Sequence, residues 1–120
     1  MITFLESICK AEDIHLDPHH GIERIRGVAM CVDGTKVITY CPTLTGWEKI
    51  SVIAHEIGHH ALGHLHDKAH LFGRSLDEKS KAVRSRNELE AQVFAAAFTA
   101  MAMFTEYRLK FEGGVTCDQP

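Results

Sequence analysis

The 120-residue sequence contains no long apolar run. Its most apolar stretch, VFAAAFTAMAMF at 93–104, is 12 residues, well short of the roughly 20 that a bilayer-crossing helix needs. Basic residues are not in excess either. Thirteen Lys and Arg against sixteen Asp and Glu leave a net charge of −3, so no basic face is available to neutralise phosphates, and direct nucleic-acid binding is not expected. The start, MITFLESICKAEDIHLD, lacks a basic lead, a long apolar core and a small-residue cleavage site, so no secretory signal is read. Four cysteines (Cys9, Cys31, Cys41, Cys117) show no C-x-x-C spacing; without a secretory route they are expected to be reduced, in the cytoplasm. Repeats and low-complexity segments are also missing. The expectation is one domain over 1–120, with 113–120 a flexible tail.

What remains is an ordinary soluble composition, 45% apolar and 24% charged. Phe4, Leu5, Ile8 and Ala11 recur at helical spacing, predicting a short helix over about Thr3–Glu12. HLDPHHG then reads as a break. IERIRGVAMCVDGTKVITYC carries β-branched residues on both sides of Asp33-Gly34, a pair suited to two consecutive positive φ angles, and predicts a hairpin. A helix follows Pro42, with Thr45 and Glu48 in capping-box spacing and Trp47, Ile50, Ile53, Ala54, Ile57 and Leu62 as its apolar face. Gly63 is the expected stop. His64 to about Lys81 is polar and irregular, and a long helix is expected from about Val83 to Tyr107. The order predicts an α+β fold, with the two long helices packed together.

Five of the nine histidines fall within KISVIAHEIGHHALGHLH at 49–66. His55 and His59, four apart on the predicted helix, project from one face and can share one zinc ion. Glu56, turned about 100° around the axis, is poorly placed as a co-ligand but can reach a water at the metal, as in H-E-x-x-H enzymes. Left unpartnered in an apolar helix, these groups would be costly to bury. A catalytic zinc requires a third protein ligand and one open position. His66 and Asp67 are out of register with metzincin spacing. His64 and His70 are further candidates in the loop. Glu88 and Glu90 open the second long helix. Glu88 shares a face with Ala91, Gln92 and Ala95, a small-residue stripe that permits close approach, and is favoured over Glu90.

These pieces resemble the ImmA/IrrE family of zinc metallopeptidases: the strand KVITYCP, the helix ISVIAHEIGHHALGH and the helix opening ELEAQVFAAA, in the pattern H-E-[IL]-G-H followed by E-x-E-A-x-x-F-A. The resemblance spans about Gly27 to Met101. It implies a small zincin-like domain, His55, His59 and Glu88 as ligands to Zn2+ in a gluzincin-like set, and Glu56 as general base. It also implies a metalloendopeptidase acting on a specific protein, such as a transcriptional repressor of phage or mobile-element origin. Where many members follow the alanine run with Leu-Leu-Met-Pro, this chain has FTAM, so the second helix is expected to run on. No room is seen for a helix-turn-helix domain, so any DNA-binding partner is expected to be a separate polypeptide.

The strand KVITYC is a candidate edge for an extended substrate. His64, His66, His70, Tyr40 and Tyr107 are unranked candidates for oxyanion stabilisation. The rival reading is a non-proteolytic zinc module that sequesters a regulatory partner, with four side chains closing the metal.

Overall fold

The computed structural model describes residues 2–22, 24–66 and 78–111. Helix α1 (Ile2–Ala11) buries Leu5 and Cys9 completely or nearly so, one turn apart on one face. It ends where Asp13 takes a φ of 56°, a left-handed conformation that aspartate tolerates better than most residues. The next segment departs from expectation. Ile14–Pro18 is not a simple break but a strand, β1, paired in parallel with a later one. Ile14 is buried and Leu16 packs against the core, so alternate side chains hold β1 to the body. Pro18 is tolerated because β1 lies at the sheet's edge, in its last position.

Strands β2 (Gly27–Val32) and β3 (Thr35–Tyr40) form the expected antiparallel hairpin, with Val32 opposite Thr35. Asp33 and Gly34 between them have φ of 50° and 81°, the two positive values that a tight two-residue turn demands. The sheet order is β1-β3-β2. Strand β3 is therefore central, and Ile38 at its middle has no exposure. This corrects the expectation that KVITYC offers an edge to a substrate: both its sides are taken. Among the described residues, β2 is the edge strand beside the site.

Helix α2 (Gly46–Ala61) lies between the sheet and a second long helix. Ile50, Ile53, Ala54 and Ile57 are buried, and each fully buried branched side chain contributes about 1.5–3 kcal/mol. Its apolar face is narrower than predicted, since Trp47 and Leu62 are about half exposed. Thr45 has the extended backbone of an N-cap but makes no side-chain cap hydrogen bond, so the capping box is not formed. The end is as expected: Gly63 adopts a φ of 71° while its N–H donates to the carbonyl of His60.

Helix α3 (Glu78–Phe111) has 34 residues, beginning before Val83 and running beyond Tyr107. Asn87, Ala91, Ala95 and Ala102 form its buried stripe. Phe94 stacks on Phe98 at 5.4 Å, and Phe98 meets Phe4 of α1 at 5.5 Å. Among the described residues the architecture is α+β, three α-helices around a three-stranded sheet, with α2 against α3. The polar segment containing Asp67 and His70, Cys117 and the tail at 113–120 lie outside the described residues.

Candidate metal centre

The close approach of α2 and α3 begins at Gly58. A Cβ there would stand 3.0 Å from the Phe94 ring and 3.3 Å from the Ala91 backbone. With hydrogen in that place, α3 lies directly on the H-E-I-G-H turn. His55 and His59 then face α3, their rings edge-on at 4.9 Å. Glu88 reaches them from the other helix. Its Oε2 is 3.0 Å from His55 Nε2, its Oε1 is 3.3 Å from His59 Nε2, and the two Nε2 atoms are 3.2 Å apart.

These separations test whether an ion fits. A tetrahedral zinc with bonds of about 2.0–2.1 Å sets its ligands about 3.3–3.4 Å apart. Two imidazole nitrogens and a carboxylate at 3.0–3.3 Å satisfy that requirement with little adjustment. Among the described residues, His55, His59 and Glu88 make the group able to hold a metal, their ligand atoms within 4.8 Å of one another. Glu90 does not join them; its Oε1 lies 2.9 Å from His64 Nε2.

The electrostatics of the two acids diverge. Burial would raise the Glu88 carboxyl, but the hydrogen bond from His55 and the charges of His59, His55 and Arg84 outweigh it and hold it below its ordinary value. Glu56 is buried between α2 and β2. That desolvation pushes its carboxyl up to about 7, against the lowering effect of His55 and an Ala29 backbone hydrogen bond. Gly27 makes room for it, since a side chain there would meet Val52 and Glu56.

His55, Glu56, His59 and Glu88 line a cleft of about 680 Å³, with Gly27, Val28 and Ala29 of β2 on one side and Arg84 and Gln92 of α3 on the other. The expected oxyanion partners fare poorly. His64, Tyr40 and Tyr107 do not line the cleft. His64 Nδ1 is engaged with His59 Nδ1 at 2.9 Å, Tyr40 carries Lys49 over its ring at 5.2 Å, and Tyr107 is exposed far along α3. His70 lies outside the described residues, as does the side chain of His66.

The cations that do line the cleft, Arg26 and Arg84, were missed in the sequence. Arg26 pairs with Glu48 of α2. Arg84, one helical turn before Glu88 and 3.7 Å from its Oε1, carried a usable signal in its i,i+4 spacing. The fifth clustered histidine, His60, serves the fold instead. Its Nε2–H donates to the Val37 carbonyl at 2.9 Å, tying α2 to β3.

Residues 8–100 match the family model described as the IrrE N-terminal-like domain, a peptidase family. No curated protein and no solved structure gives a match.

Proposed function

The chain belongs to the IrrE N-terminal-like family of peptidases, and on that premise we propose that it is a zinc-dependent metalloendopeptidase hydrolysing a specific protein substrate. The observation that carries this reading is the convergence of His55, His59 and Glu88, from two helices, beside the buried Glu56 on one cleft wall.

His55, His59 and Glu88 would hold the ion, two imidazoles and a carboxylate being a donor set that suits zinc. Bound there, zinc supplies Lewis acidity, which polarises a carbonyl and acidifies water. Glu56 takes a proton from the attacking water and gives it to the amine as the C–N bond breaks. Burial, which raises this carboxyl in the metal-free fold, favours its uptake of a proton. The edge strand β2 runs along the cleft and supports binding of an extended segment by strand addition beside the outward Ala29 N–H, which donates to Glu56. Arg84 offers N–H donors to the negative charge that develops on the scissile oxygen.

The substrate class proposed from the family resemblance is a transcriptional repressor, in the cytoplasm and in a phage or mobile-element setting. The test joins zinc analysis of purified protein to mass spectrometry of candidate repressors after incubation, with and without chelator. Chelator-sensitive cleavage is expected, lost in Glu56→Gln while zinc is retained. Undiminished cleavage by Glu56→Gln would end the mechanism. Tight partner binding without cleavage would favour the sequestering module instead.

A further inference from the structure

Glu90, His64 and His59 form a chain of contacts running away from the cleft. Glu90 Oε1 lies 2.9 Å from His64 Nε2, and His64 Nδ1 lies 2.9 Å from His59 Nδ1. His64 and His59 are each about 4% exposed, whereas Glu90 stands half in solvent. The proton positions follow from the chemistry of the terminus. A carboxylate only accepts hydrogen bonds, so His64 Nε2 must carry a hydrogen and donate it. In neutral His64 the other nitrogen, Nδ1, is then an acceptor. His59 must supply the donor from its own Nδ1–H, which leaves the lone pair of His59 Nε2 to accept from His55 Nε2–H, itself the donor to Glu88.

We infer that Glu90 and His64 are positioning residues: through two directed hydrogen bonds they fix His59 in the Nδ1–H tautomer and hold its Nε2 toward the metal position. The inference rests on the metal reading of His55, His59 and Glu88. It gives the two acids of the E-x-E motif separate roles, Glu88 toward the ion and Glu90 two rings behind it. His64, a ligand and oxyanion candidate on sequence grounds, works through His59. The opposite proton arrangement is self-defeating. A doubly protonated His64 would donate to His59 Nδ1, put the hydrogen of His59 on Nε2, and block the ligand atom. Outer partners of metal-bound histidines are typically worth about 10–100-fold in metal affinity.

Two measurements test this, neither of them peptidase activity. Long-range ¹H–¹⁵N correlation spectra of histidine-labelled protein, metal-free and zinc-loaded, read each tautomer above neutral pH. Expected are hydrogen on Nδ1 of His59 and on Nε2 of His64 in both states. Hydrogen on Nδ1 of His64, or on Nε2 of His59 in the metal-free chain, would overturn the inference. Chelator competition then compares zinc affinities, with circular dichroism of each metal-free variant as the folding control. His64→Leu should bind zinc about 10–100-fold more weakly. His64→Asn, whose Oδ1 can stand where Nδ1 stood and accept from His59, should recover most of that loss. Equal affinity in wild type and His64→Leu, or no recovery in a folded His64→Asn, counts against it. Wild-type protein that binds no zinc would instead remove the peptidase reading, and the metal-free spectrum would still decide the tautomers.

Discussion

At the residue scale, the four acids and bases of the cleft differ in how far they could be read in advance. His55, Glu56 and His59 were legible because a helix fixes their mutual directions whatever surrounds it. Glu88 was legible by its place on a small-residue stripe. The contacts of Glu90, His64 and Arg84 were not, because they depend on how the chain turns after Gly63 and on the depth at which α3 crosses α2. A ligand test separates the two acids: Glu88→Ala should lose most bound zinc, and Glu90→Ala far less, as measured by chelator competition. A second test concerns Glu56. Its folded value of about 7 lies above the ordinary 4.5, so the metal-free fold holds its proton more tightly than the unfolded chain does. That contribution is complete below about 4.5 and is lost as pH rises through about 7. Metal-free Glu56→Gln should therefore gain stability over wild type on going from pH 5 to 8, read as a growing difference in unfolding midpoint. A constant difference would show that the site does not desolvate Glu56.

Among elements, the hairpin was readable from Asp33-Gly34 because the turn's backbone demand is local. Strand β1 was hidden, since five residues with two apolar positions give too little alternation, and Asp17-Pro18 imitates a turn. The early start of α3 rests on residues that are polar yet helix-compatible, and polarity alone does not distinguish such a helix from a loop. The centrality of β3 could not be seen at all, because it depends on pairing with the overlooked β1. The contact between α2 and α3 makes a sharp prediction. A glycine inside a helix costs about 1 kcal/mol relative to alanine in propensity, so Gly58→Ala would stabilise an isolated helix. Here the added methyl meets the Phe94 ring and the Ala91 backbone, and overpacking of that kind costs about 1–3 kcal/mol. Gly58→Ala should lower stability in denaturant titration and weaken zinc binding together; a stabilised variant with intact affinity would refute the tight contact.

For the whole molecule, the candidate ligands come from two helices that are far apart in sequence, so a bound ion would cross-link α2 and α3 in the folded state. Zinc at a hundredfold excess over its dissociation constant adds about 2.7 kcal/mol of stability. Thermal unfolding of wild type should accordingly shift upward with zinc and downward with chelator, while Glu88→Ala should be nearly indifferent to both. Equal zinc shifts in the two proteins would place the ion elsewhere.

The bare α-carbon at position 58 carries one more implication, for ion size. It lets α3 settle close enough to α2 to bring donors from both within 3.0–3.3 Å of each other. A spacer of even one carbon would press on the Phe94 ring and the Ala91 backbone and push Glu88 away from the two imidazoles, whose own spacing α2 alone sets. A single hydrogen atom thus acts as the shim that gauges the chamber for a small dication.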